Sequence, residues 1–237
     1  MALPKITQPE FEITLPVIKR KIKFRPFLVK EEKILLVGKE GGPSEQMAAM
    51  MQILKNVVVS PKNFNPGDLT VTDIEYLFMH LRGKSVDNII KLKYQDKEDE
   101  KLYDFEVDIN TINPTFTEGR TYEIPVGDLT VELKDPTFEV ITKTGGNLDA
   151  TNADNIDSEK IFDMLSYCLV KVWDSEQVYD DFSAAEARDF FKGMDVASFK
   201  GIQTFFETAP RLEHTLKYTN ELGNERSIVL KGLSDFF

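Results

Sequence analysis

The side chains able to do chemistry are few and widely spaced in this sequence. Lys39 follows Gly38 and precedes Glu40, with the pair Gly41-Gly42 behind it. A phosphate-binding loop needs glycine-rich backbone before its lysine and a Ser or Thr directly after it, whose hydroxyl reaches magnesium. Here an acid holds that place and the preceding residues follow a helical pattern, so nucleotide binding is not expected. The two histidines, His80 and His214, lie on apolar-periodic segments, beside Leu81 and between Leu212 and Leu216, and read as structural. The single Cys168 stands at helical spacing between Leu165 and Val172. Apolar surroundings raise a thiol pKa and leave it inert, which argues against a Cys–His nucleophile. One cysteine also permits no internal disulfide and no zinc site built from several thiolates. The densest oxygen cluster, Asp149 to Asp157 with Asp154 between them, hints at calcium. It lacks the glycine and the terminal bidentate Glu of an EF-hand loop, and reads as a solvated loop whose Asp157 caps the next helix. Carboxylates are abundant, so pairs at acid–base distance arise by chance. No catalytic residue, cofactor-binding residue or metal ligand emerges.

The elements that would position any site alternate between helical and strand periods. Phe11-Glu12-Ile13-Thr14-Leu15 and Ile22-Lys23-Phe24-Arg25-Pro26-Phe27 predict an opening hairpin, with Pro26 ending an edge strand. A helix around Lys30-Glu31-Glu32-Lys33, with one wet face, is expected to stop at Gly38 and Gly41-Gly42. Met47, Met50, Met51, Ile53 and Leu54 mark a second helix, whose tail Val57-Val58-Val59 fits helix end or short strand. Residues 60–69 read as loop. Ile74, Leu77, Phe78 and Leu81 then form one apolar helical stripe, with Thr70 and Asp73 at capping-box spacing.

After Gly83 the period becomes two. Strands are predicted over 89–94, 102–109, 122–125 and 129–133, the first two joined by the polar tip Gln95–Lys101. Residues 143–156 read as loop, and one long helix is expected from Asp157 through Trp173. Ser183 and Glu186 form a full capping box for a helix carrying Phe190 and Phe191, and Phe199, Ile202, Phe205 and Phe206 mark another before Pro210. A last hairpin spans Leu212–Lys217 and Ser227–Lys231. The expected fold is α+β: a helical core with an N-terminal β-hairpin, an inserted small antiparallel β unit and a C-terminal β-hairpin. The corresponding segments are 1–85, 86–142 and 143–237, with the first and last packing as one body.

Composition limits the partners. The chain has 237 residues, 41% apolar and 29% charged, with a formal net charge of −11. That field repels phosphate, so no nucleic acid is expected as a partner. No apolar run approaches the ~18 residues of a membrane span, and no signal-peptide pattern opens the chain. Low cysteine usage fits a reducing compartment. Charge is uneven: residues 17–39 are rich in Lys and Arg, and 149–189 in Asp and Glu.

Three stretches together carry a resemblance: KIKFRPFLVKEEKILL near the start, LTVTDIEYLFMHLRGKSV at 69–86, and the terminal IVLKGLSDFF. In order and approximate spacing they resemble the baseplate hub assembly proteins of T-even-type contractile-tailed bacteriophages. The resemblance implies a non-enzymatic late protein that helps build the baseplate hub, as hub component or assembly chaperone. It also implies other hub proteins as partners, an oligomer among the options, and a place in the host cytoplasm during assembly or in the virion tail baseplate. Some relatives carry cysteine knuckles at the tips of the middle and last hairpins. The matching tips here, QDKEDEK and TNELGNE, have no cysteine. Strand pairing alone is therefore expected to hold these hairpins, and no metal ligand is carried over. A generic adaptor or chaperone, and a carboxylate-based hydrolase, are the competing readings.

Partner contact is expected at two surfaces. Lys19, Arg20, Lys21 and Lys23 on the first hairpin suit an acidic partner, and Glu75, Met79, Arg82 and Lys84 form the side of the 70–84 helix away from its apolar stripe. Phe236 and Phe237 either pack on their own domain or are offered to a partner.

Overall fold

Alternation builds the first sheet. In a computed structural model of the chain, which describes residues 6–40, 42–145, 158–232 and 235, β1 (Phe11–Thr14) and β2 (Lys21–Phe24) pair antiparallel. Phe11 stands opposite Phe24 and Ile13 opposite Ile22. Ile22 and Phe24 are buried, whereas Glu12, Lys21 and Lys23 are exposed on the other face. A third strand, β3 (Val58–Ser60), pairs with the far side of β2. The strand ahead of Pro26 is therefore central rather than an edge. It still ends at Phe24, and the Arg25 amide closes the sheet by donating to the Val57 carbonyl at 3.1 Å.

Between β2 and β3 lie α1 (Val29–Glu40) and α2 (Pro43–Val57). Gly38 does not stop α1. It sits inside the helix, where an added Cβ would stand 2.7 Å from the Cβ of Ala49 in α2, so the missing side chain lets the two helices approach. The wet face expected for α1 holds one fully buried acid. Glu31 accepts the Leu28 amide at 2.7 Å and pairs with Arg25 at 3.2 Å. At Val58 the backbone turns extended and α2 becomes β3 without a loop, so Val57-Val58-Val59 is both helix end and strand.

Helix α3 (Val71–Ser85) starts where Thr70 caps the Asp73 amide at 3.2 Å. Its stripe of Ile74, Leu77, Phe78 and Leu81 is buried, and so is Met79 on a second side. The hairpin of β4 (Ile89–Gln95) and β5 (Leu102–Asp108) follows in continuous register.

The chain divides into two compact units, one comprising Met1–Thr115 with Arg211–Phe237, the other Phe116–Pro210. Residues 86–142 thus do not form one inserted piece. The β4–β5 hairpin buries Ile90 and Val107 with Met79, Leu212 and Leu230 of the first unit, whereas the next hairpin pairs onward within the second. Where the chain leaves and re-enters the first unit, Thr115 and Arg211 exchange backbone hydrogen bonds of 2.8 and 3.3 Å.

In the second unit β6 (Glu123–Val126) and β7 (Leu129–Leu133) turn about Gly127, whose φ is 60°. Then come α4 (Phe138–Thr144), capped by Thr137, and α5 (Ser158–Cys168). The long helix expected through Trp173 ends at Cys168. Leu169-Val170-Lys171-Val172-Trp173 is β-branched and aromatic, and it forms β8 (Leu169–Trp173) against β7. The short β9 (Val178–Tyr179) completes a sheet of order β6-β7-β8-β9. Helix α6 (Ala184–Lys192) begins with the reciprocal Ser183–Glu186 capping box, and α7 (Val196–Glu207) is capped by Asp195. One face of the sheet, through Ile124, Val131, Leu133 and Val172, shares a core with Leu165, Phe191, Ile202 and Phe205 of the helices.

The first unit is completed by β10 (Glu213–Thr219) and β11 (Glu225–Lys231), a seven-pair hairpin. The fold is α+β, with hairpins near both ends of the chain.

Candidate partner-contact surface

The first hairpin and α3 are joined at both ends of the helix. At its start, the Asp73 carboxylate accepts the backbone amides of Val17 and Ile18, at 2.9 and 3.2 Å. The acid at the capping-box position therefore reaches across to the turn between β1 and β2. At the other end the Lys84 ammonium lies 5.6 Å from the Phe11 ring centroid, and the Phe27 amide donates to the Ser85 hydroxyl at 3.0 Å.

Of the expected contact residues, Lys19, Lys21, Lys23 and Lys84 are exposed and Arg20 is half-buried. Lys21 and Lys23 of β2 share the outer face of the hairpin with Glu12 of β1, at 3.4 and 3.9 Å. Strand alternation places Phe11, and with it Lys84, on the opposite face, so these cations do not make one patch. Glu75 and Arg82 are half-buried, and burial lowers the Arg82 pKa despite the opposing charge of Asp87. Met79 is fully buried in the core with Ile90 and Ile109, because α3 packs a hairpin on the side away from its main stripe. It cannot touch a partner. Phe236, Phe237 and the acidic loop 149–157 lie outside the described residues.

The two hairpin tips are held by more than strand pairing. Asp96 is fully buried between them. It accepts the amides of Glu98 and Asp99 at 2.7 and 3.3 Å, the Tyr218 hydroxyl, and Arg226 Nε at 3.2 Å. The side-chain amides of Asn220 and Asn224 both donate to the Glu98 carboxylate at 2.8 Å. The Glu221 amide donates to the Tyr103 hydroxyl at 2.7 Å, and Lys101 pairs with Glu221. Beneath this clasp the Tyr103 and Tyr218 rings lie 4.9 Å apart. The Tyr218 hydrogen bond, with the two turn amides and Arg226, overcomes burial and brings the Asp96 pKa down to about 2. Burial and the Asp96 charge push Tyr218 up to about 12. Sequence reading missed these residues. The only signal was complementarity: one tip is rich in acceptors, and the other carries two asparagines, a tyrosine and an arginine.

The remaining reactive types have structural surroundings. Lys39 belongs to α1, inside a helix rather than a glycine-rich loop. Cys168 is buried, which pushes its thiol up to about 12. His80 packs edge-on to Tyr76 at 4.4 Å, and burial together with Lys84 brings its pKa down to about 4. A cavity of about 520 Å³ lies among α4, α5 and α6, lined by Lys143, Asp163, Arg188 and Lys192. Two of its cations are paired, Arg188 with Asp163 at 2.8 Å and Lys192 with Glu159 at 2.9 Å, and Lys143 lies 4.5 Å over the Tyr167 ring. Among the described residues no three His, Cys, Asp or Glu side chains could hold a metal ion, and no helix is long and apolar enough to cross a membrane.

Residues 8–237 match the family model described as T4 bacteriophage base plate protein. The chain belongs to that family. No curated protein and no solved structure matches it.

Proposed function

We propose that this base plate protein works without catalysis, by binding other baseplate proteins while the central hub of the tail is built. It acts either as a hub component or as an assembly chaperone, in the host cytoplasm and, if a component, later in the virion. The family match over residues 8–237 carries this reading. The buried acids support it, because each is consumed by bonds that hold the fold: Glu31 by Arg25 and Leu28, Asp73 by Val17 and Ile18, Asp96 by the tip clasp. The first hairpin, with Lys19 and Arg20 in its turn and Lys21 and Lys23 on β2, is one contact surface, for an acidic partner.

The test is a phage lacking this chain, scored for completed hubs and by mass spectrometry of purified virions against infected-cell lysate. Hubs absent without the chain, together with its presence in virions, identify a component. Hubs absent without it, and the chain found only in lysate, identify a chaperone. Normal hubs without the chain overturn the proposal.

A further inference from the structure

We infer that the outer face of the β6-β7-β8-β9 sheet docks a basic, apolar, extended segment of another baseplate protein, with Trp173 as the anchor. This rests on the partner-binding reading above and names a site for it.

Among the described residues, the helices of the second unit share their core with one face of the sheet, through Ile124, Val131 and Val172. Cross-strand register assembles two rows on the other face. Pro125, Thr130, Trp173 and Val178 stand side by side in the first. Glu123, Glu132 and Lys171 stand side by side in the second. Val178 is 55% exposed and Trp173, the single tryptophan of the chain, is half-buried. A half-buried tryptophan on a sheet face offers a large rigid contact at little entropic cost, the usual chemistry of a binding anchor.

Charge selects the partner. Glu123 lies directly opposite Glu132, and like charges facing each other across strands are unfavourable. Lys171, the one cation on these rows, is already committed. It pairs with Glu132 at 3.0 Å and covers the Trp173 ring at 4.9 Å. Glu123 makes no ion pair among the described residues. Beyond the other side of the Trp173 row, the turns contribute exposed Asp128 and Glu176. An apolar row with unanswered carboxylates on both sides suits a segment whose apolar side chains meet Trp173 while lysines or arginines reach Glu123 and the turns. The first sheet of a second copy does not supply one. Its own basic strand, KIKFRPF, has Ile22 and Phe24 at 0% and 2% exposure in the first sheet.

Because Trp173 is the single tryptophan, its fluorescence reports on the face directly. The probe is a capped peptide of alternating lysine and valine, with alternating glutamate and valine as control. The lysine peptide should shift Trp173 emission to shorter wavelength, saturably and more weakly as salt rises. Glu123→Lys should weaken its binding at least tenfold while leaving the unfolding midpoint unchanged or raised, since it removes a like-charge pair. Trp173→Ala, followed by anisotropy of labelled peptide, should weaken binding by a similar factor. No saturable shift, an equal response to the glutamate peptide, or unchanged binding to Glu123→Lys would overturn the inference. So would concentration-dependent self-association of the wild-type chain that Glu123→Lys abolishes, since the occupant would then be a second copy. Hub formation separates this inference from the broader reading: normal hubs with the folded Glu123→Lys, Trp173→Ala double variant reject this face alone, whereas normal hubs without the chain reject both.

Discussion

Val17 donates its backbone amide to the Asp73 carboxylate at 2.9 Å, across 56 positions of sequence. Ile18 adds a second bond, and the Thr70 hydroxyl a third at 3.0 Å, so one fully buried side chain starts α3 and fixes the first hairpin turn against it. Asp73→Ala leaves two amides without acceptors and removes part of the cap. Loss of a buried, charged hydrogen-bonding group costs about 3 kcal/mol. Denaturant titration should show that loss, with hydrogen exchange rising first at Val17 and Ile18. A midpoint within experimental error of wild type would contradict it.

The tip clasp should be acid-labile in a narrow window. The Asp96 carboxyl is held at about 2 against an ordinary 3.8. Between these values the unfolded chain binds a proton that the folded clasp refuses, so stability rises with pH there and is lost as pH falls through about 2. Asp96→Asn should lower the thermal midpoint at neutral pH and flatten its pH dependence between about 4 and 2. Retention of the wild-type slope in this variant would mean that another group carries it.

His80 predicts a second, separate acid transition. Its pKa falls from 6.5 to about 4 on folding, so the native state keeps it neutral where the unfolded chain protonates it. Stability is then full above about 6.5 and declines as pH falls toward about 4, by on the order of 3 kcal/mol at 1.36 kcal/mol per unit. His80→Phe keeps a ring beside Tyr76 and should remove this slope. Chemical denaturation at pH 7 and pH 4.5 checks it.

Gly38 is a packing residue, and two effects oppose each other when it is replaced. A side chain raises helix propensity by up to about 1 kcal/mol, while overpacking costs about 1–3 kcal/mol. With an added Cβ 2.7 Å from Ala49 Cβ, Gly38→Val should be destabilising on balance, since valine gains less in propensity and clashes more. A stabilised variant would show that α1 and α2 can separate freely.

The basic face of β2 should act mainly on the rate of encounter. Charge reversal of Lys21 and Lys23, exposed beside Glu12, should slow association with hub partners and weaken its dependence on salt, leaving folding intact. An association rate already indifferent to ionic strength in the wild type would remove this surface from consideration.

Local chemistry made much of the fold legible. Period-two runs located both terminal hairpins, and Ser183 with Glu186 marked the start of α6. What escaped was set by distant neighbours. Cys168-Leu169 looks continuous with a helix until β7 is available for pairing, and Met79 looks exposed until the β4–β5 hairpin folds back on it and the sequence-distant Leu212 and Leu230 join. Gly38 looks like punctuation until Ala49 lies against it. The clasp was the least visible feature, because hydrogen-bonding capacity at a hairpin tip does not say which other tip will answer it.

The paired backbone bonds between Thr115 and Arg211 hold the departing and returning chain side by side. The ends of the intervening module are thus already closed, and closure entropy grows only with the logarithm of the enclosed length. Lengthening or trimming that module should therefore carry little thermodynamic penalty for the part that holds the clasp.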